Sequence, residues 1–209
     1  AQIEEILKMS LLKKCEKLCE YQVSVGEVFY RYYIVQNDIR QIMTVLRLLK
    51  RGTPEKYLSS LPPFFNSRTD IDLYALAKVK SFADLLKVLE HTDYAEILGR
   101  YKDSYSDDGM FIFIENDLNK YLFSFLVKSV KLCKDKRKKK EIYEIINYRF
   151  DMYTLTRAYR LLNIGSTDNF FISDFVMKDY TNFSDRQLNA ITSAKSATDI
   201  IQMIPNTYY

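Results

Sequence analysis

Few residues in this chain have the type and spacing that chemistry requires. His91 is the single histidine among 209 residues. A His–Asp–nucleophile triad or a histidine-based metal site therefore has almost nothing to draw on. Cys15 and Cys19 lie four apart, on one face of a helix, and Cys133 is the third thiol. Two thiols make half a tetrahedral metal site, so buried free thiols in a reducing compartment are expected instead. Asp107 and Asp108 are adjacent carboxylates in a polar loop with no apolar wall to shift a pKa. There is no Gly-x-x-x-x-Gly-Lys-Ser/Thr and no Gly-x-Gly-x-x-Gly, hence no recognisable nucleotide cradle. No catalytic residue, cofactor, metal or small-molecule substrate is expected.

The loudest local feature is basic. Lys134-Asp135-Lys136-Arg137-Lys138-Lys139-Lys140 could meet an acidic protein surface, anionic lipid headgroups or nucleic acid. Spread over two helical turns, these side chains point to every face and make no flat patch. Aromatics placed for base stacking are also missing, so nucleic acid is disfavoured. Lys136, Arg137, Lys138, Lys139 and Lys140 are the candidate partner-binding residues, set against the plain reading of a solvated corner between two helices.

A second signal is a duplication. Asp38 to Gly52 and Asp151 to Gly165 agree at five of 15 positions when offset by 113: Asp38/Asp151, Arg47/Arg160, Leu48/Leu161, Leu49/Leu162 and Gly52/Gly165. The apolar stripe Ile39, Ile42, Leu46, Leu49 matches Met152, Leu155, Tyr159, Leu162 at helical spacing. Each copy ends at a glycine, which tolerates a left-handed helix end. Lys80 to Tyr94 and Lys195 to Tyr209 match at an offset of 115, through Lys80/Lys195, Ser81/Ser196, Asp84/Asp199, Thr92/Thr207 and Tyr94/Tyr209. A period above 100 residues exceeds that of ordinary solenoids and predicts a duplicated bundle of several helices. Asp38 and Arg47 are nine apart, about half a turn around a helix, so they cannot pair with each other. The repeated Asp38, Arg47, Asp151 and Arg160 are expected to be structural, each bonding to a neighbouring helix.

The elements that position these residues read as all-α. Helices are expected over Ile3–Gln22, with Ile3, Leu7, Leu11, Cys15, Leu18 and Gln22 marking one face, all but the last apolar or thiol, and from Val25 to Gly52. Others should start at Thr53-Pro54-Glu55 and stop before Leu61-Pro62-Pro63, and run over Asp70–Val79, Phe82–Glu90 and Asp93–Lys102. The second half should hold Phe113–Cys133, Glu141–Asn163 and two final helices. Thr53, Ser81, Thr92, Ser184 and Ser196 read as N-caps. Phe111–Ile114 and Phe170–Ile172 are the only strand-like runs, too short to argue for a sheet. The loop Ser104–Gly109 divides the chain into repeats 1–108 and 109–209. Five glycines and four prolines leave little room for long loops, and the 17 Tyr and 13 Phe supply much of the core. The net charge is +4, with no run of 18 apolar residues, so no membrane span is expected. No signal-peptide pattern opens the chain.

Asp-x-x-x-Φ-x-x-x-Φ-Arg ending at a glycine, followed by Φ-Φ-x-x-Φ-x-x-Thr-x-Tyr, resembles one family of V-type ATPase and ATP synthase proteins. This is the family of the central-stalk component called C in bacteria and archaea and d in eukaryotes. The resemblance covers Tyr30–Tyr94 and Glu115–Tyr209, with Glu115-Asn116-Asp117-Leu118 resembling the start of a repeat. It implies three pseudo-equivalent helical bundles arranged as a funnel, of which two are present here. It implies a non-catalytic coupling role in a rotary ATPase or ATP synthase for proton or sodium transport. Its partners would be the central shaft subunits and the membrane rotor ring, from a cytoplasmic position peripheral to the membrane. The competing reading is a basic helical binding module for nucleic acid or an acidic protein.

Overall fold

The computed structural model describes residues 2–21, 26–61, 69–107, 109–164 and 180–203. All regular structure among them is helical, as the periodicity predicts. The chain divides into two compact units, Ala1–Lys134 and Asp135–Tyr209.

The first unit is built around one long helix. A first helix, α1 (Gln2–Tyr21), packs along α2 (Gly26–Lys50). A 3₁₀ segment, Pro54–Ser60, then folds back onto α2. Three short helices follow, α3 (Leu73–Leu76), α4 (Phe82–Val88) and α5 (Asp93–Gly99). The long α6 (Met110–Lys131) packs on both α5 and α2. The core is continuous along these contacts: Ile42, Tyr57, Ile71, Leu73, Leu76, Leu85, Leu89, Leu98 and Leu118 are fully buried. Each large apolar side chain so buried contributes about 1.5–3 kcal/mol.

The second unit sets α8 (Asp185–Thr192) and α9 (Ala197–Met203) against α7 (Lys136–Ile164). Phe150, Leu155, Ala158 and Leu161 of α7 meet a core that includes Phe183, Leu188, Ile191 and Ile200. Phe150 stacks on Tyr180, with ring centroids 5.6 Å apart.

Helix ends follow local chemistry. Gly52 takes φ 67°, its N–H donates to Leu49 O, and the Thr53 N–H reaches back to Leu48 O. That pair of bonds is a Schellman stop, and it needs the left-handed residue that glycine supplies. Ser81 and Ser184 form reciprocal capping boxes with Asp84 and Gln187. Ser196 accepts from the Asp199 N–H, as an N-cap should.

Several expectations need correction. Thr53 opens a 3₁₀ helix rather than an α-helix, and its side chain makes no capping bond. Thr92 stands at an N-cap, but its hydroxyl donates to Leu89 O instead. The helix expected over Asp70–Val79 is only Leu73–Leu76, because the Asp72 carboxylate caps it by accepting from Tyr74 N–H and Ala75 N–H. Phe111–Ile114, strand-like in sequence, lies in the first turns of α6. On the apolar face that the spacing marks on α1, Leu7, Leu11 and Leu18 are exposed, while Leu12, off that face, is buried. Periodicity finds an apolar stripe but cannot say whether a neighbour covers it. The same holds for Met152 and Tyr159 of the second stripe, both exposed. Cys133 is buried as expected, whereas Cys15 is only half-buried. Gly165, the Phe170–Ile172 run, Thr207 and Tyr209 lie outside the described residues, as do the side chains of Ile3 and Cys19.

Candidate partner-binding surface

Asp38 and Asp151 perform the same task in the two units. Asp38 lies on α2 and is almost wholly buried. Its carboxylate accepts from the hydroxyl of Thr69, and from that of Tyr94 on α5 at 3.3 Å. Asp151 on α7 is also buried. It accepts from the Thr181 hydroxyl and from the Asn182 N–H at 3.2 Å. In each case the threonine oxygen accepts in turn from a backbone N–H two residues on, Ile71 at 3.1 Å and Phe183 at 3.0 Å. A buried acid on the long helix thus latches the segment that leads into the next short helices. Burial pushes the Asp38 carboxyl up to about 6, against the lowering effect of the Thr69 and Tyr94 hydroxyls. Burial raises Asp151 as well, opposed by the Thr181 and Asn182 bonds.

Periodicity does not single out Thr69 and Thr181, although the sequence carries a signal for them. Thr69-Asp70-Ile71-Asp72 and Thr181-Asn182-Phe183-Ser184 share the order threonine, Asp or Asn, apolar residue, helix cap, at an offset of 112. The downstream repeat is as close. Asp84 accepts from the N–H groups of Lys80 and Ser81 at 3.1 and 3.0 Å. Asp199 accepts from those of Lys195 and Ser196, both at 3.0 Å. These bonds hold both carboxyls below the usual range, the serine hydroxyl being the largest cause in each.

The repeated arginines do not share one role. The Arg47 guanidinium lies 5.3 Å from the centroid of the Phe111 ring on α6, a cation–π contact. Arg160 is exposed on α7. Asp38 and Arg47 do point apart, one inward and one outward, as their nine-residue spacing requires.

The basic run is not a loop corner. Lys136–Lys140 form the start of α7, which begins five residues earlier than the expected Glu141. The Asp135 carboxylate is the reason: it accepts from Arg137 N–H at 3.0 Å and Lys138 N–H at 3.2 Å. A negative cap at the positive helix end offsets part of the repulsion that five cations meet there. Glu141 and Glu144 add i,i+4 ion pairs, to Arg137 at 3.1 Å and to Lys140 at 3.9 Å. All these side chains are substantially exposed, so each pair contributes little to stability. Residues 134–144 hold six cations and three carboxylates, a net +3 on one helix end. Lys136, Arg137, Lys138 and Lys140 are exposed and Lys139 is half-buried. Such an end concentrates positive charge at the surface of the second unit. Among the described residues no group of three His, Cys, Asp or Glu could hold a metal ion. No described helix is long and apolar enough to cross a membrane.

Comparison with known proteins points to one family. A family model described as ATP synthase (C/AC39) subunit matches residues 1–209. The C subunit of the A-type ATP synthase of Methanobrevibacter smithii is 23% identical over 141 residues, covering 66% of this chain and 35% of that relative. The match spans about a third of the relative's length. No solved structure matches the chain. With a match over its whole length, the chain belongs to the ATP synthase (C/AC39) subunit family.

Proposed function

We propose that this protein is a non-catalytic central-stalk subunit of a rotary V-type ATPase or ATP synthase. In this reading it couples the central shaft to the membrane rotor ring during proton or sodium transport. It sits in the cytoplasm, peripheral to the membrane. The observation that carries the reading is the family match over residues 1–209. The physical character of the chain supports it. Torque transfer requires a stiff body, and close-packed helices resist deformation. Here the long helices are further tied to later segments by the Asp38–Thr69 and Asp151–Thr181 latches. The two repeats, 1–108 and 109–209, are two of the family's three bundles. The basic start of α7 is the contact for an acidic protein surface or for anionic headgroups beside the ring.

The test is a pull-down of shaft and ring subunits by the tagged full chain at low and moderate salt. Both partners should be retained, and Lys138→Glu/Lys139→Glu/Lys140→Glu should weaken retention most at low salt. Retention of neither partner by the unaltered chain contradicts the stalk reading. The competing reading as a basic binding module rests on the same exposed turn. It requires nucleic-acid affinity that falls steeply with salt.

A further inference from the structure

Between α1 and α2 of the first unit lies a cleft of about 150 Å³ whose two walls differ in chemistry. The α1 wall is formed by Leu11, Leu12 and Cys15, and the α2 wall includes Tyr33, Asn37 and Arg40. These α2 positions fall at i, i+4 and i+7, which places them on one helix face. Leu12 is buried, whereas Leu11 and Arg40 are exposed, so the cleft reaches solvent beside the latter two.

A directed chain of hydrogen bonds ends at the α2 wall. The Tyr57 hydroxyl donates to Gln41 Oε1 at 3.0 Å, and Gln41 Nε2 donates to Asn37 Oδ1 at 3.3 Å. Burial raises the Tyr57 hydroxyl well above its ordinary range, so it stays protonated and remains a donor. With Tyr57 donating, Gln41 turns its amide nitrogen toward Asn37, and Asn37 receives it with its oxygen. Asn37 Nδ2, which can only donate, is left at the end of the chain. The residue is only 9% exposed, and Nδ2 is buried with no hydrogen-bond partner among the described residues. A buried donor without an acceptor is costly and rare in a folded protein. One turn on, the Arg40 guanidinium has no carboxylate partner among the described residues. A donor and a cation three residues apart on one helix face are matched by an acceptor that carries negative charge.

We propose that this cleft binds a small monocarboxylate with a compact apolar body. The body lies against Leu11, Leu12 and Cys15, and the carboxylate faces α2, accepting from Asn37 Nδ2 and meeting the Arg40 guanidinium. Size limits the ligand, since a cavity of about 150 Å³ takes a body about as large as benzene. A phenyl-substituted or branched aliphatic acid matches both walls. Free phosphate leaves the leucines unmatched, and a plain hydrocarbon leaves Asn37 unpaired. The site goes beyond the stalk reading, and its test needs no stalk partner.

Phenylacetate is the probe, titrated to about 20 mM into the isotope-labelled full chain and followed by proton–nitrogen NMR. Saturable shifts should centre on the Asn37 side-chain amide and on the backbone amides of the cleft residues, with a Kd of about 1 mM. Arg40→Gln, a change at an exposed position, should raise that Kd on the order of tenfold. Phenethylamine has a similar apolar body and the opposite charge, and its head can only donate. It should give no saturable shift at Asn37. Circular dichroism checks that the variant folds, and the comparison of the two probes stands without any variant. A wild type whose Asn37 amide does not respond to phenylacetate, or whose shifts all lie outside the cleft, overturns the proposal. So does phenethylamine binding as tightly as phenylacetate, or a folded Arg40→Gln chain with an unchanged Kd.

Discussion

Replacing Asp38 by asparagine separates the cost of a buried charge from the value of its hydrogen bonds. The unfolded carboxyl titrates near 3.8 and the folded one near 6. Between those values the folded chain binds more protons than the unfolded chain. Stability from this group is therefore complete below pH 3.8 and is lost as pH rises through about 6. That interval of about two pH units corresponds to a loss of about 3 kcal/mol. An asparagine at this position does not titrate. Its amide oxygen can still accept from the Thr69 hydroxyl, and its amide N–H can donate to the Tyr94 oxygen. Urea unfolding followed by circular dichroism at steps from pH 4 to pH 7 gives both profiles. Subtracting them cancels the other carboxylates, because sites without shared partners add. The wild-type stability relative to Asp38→Asn should fall by about 2 kcal/mol across that range, most of the full effect. Asp38→Ala should lie about 1–3 kcal/mol below Asp38→Asn at every pH, because the Thr69 and Tyr94 hydroxyls lose their acceptor. Parallel wild-type and Asp38→Asn profiles would refute the reasoning, since they would mean that water reaches this carboxyl.

Three further outcomes are expected. Thr181→Val removes the hydroxyl that joins Asp151 to the Phe183 N–H, and should cost about 1–3 kcal/mol in a denaturant titration that follows the second unit. Gly52→Ala meets no neighbouring atom within 4 Å but must hold φ 67°, so it should cost about 1–2 kcal/mol by backbone strain alone, measured by thermal unfolding. Lys138→Glu/Lys139→Glu/Lys140→Glu should leave the unfolding midpoint close to wild type, because exposed substitutions stay within about 0.5 kcal/mol each.

Helix content and the duplication are legible because each rests on short-range pattern. The stripe Ile39, Ile42, Leu46 marks α2 whatever packs on it, and Ser81, Ser184 and Ser196 cap from three residues away. What lies beyond reach depends on distant segments. Asp38 finds Thr69 across 31 residues, in a stretch with no helical period to announce it. Leu7 and Leu18 look like core because they recur at helical spacing, yet α1 turns Leu12 inward instead. The start of α7 escapes a reading by charge, because five cations suggest a solvated corner, while one acid before them, Asp135, sets the helix going. Charge alone marks the basic turn but says nothing of its capped helical geometry.

The central claim is best tested by cross-linking mass spectrometry on rotary ATPase complexes isolated with this chain in place. The stalk reading predicts that the chain co-purifies with shaft and ring subunits. It predicts lysine cross-links from Lys136–Lys140 to another protein of the complex. A chain absent from complexes that retain shaft and ring, with cross-links only to unrelated proteins or to nucleic-acid-bound material, would contradict it.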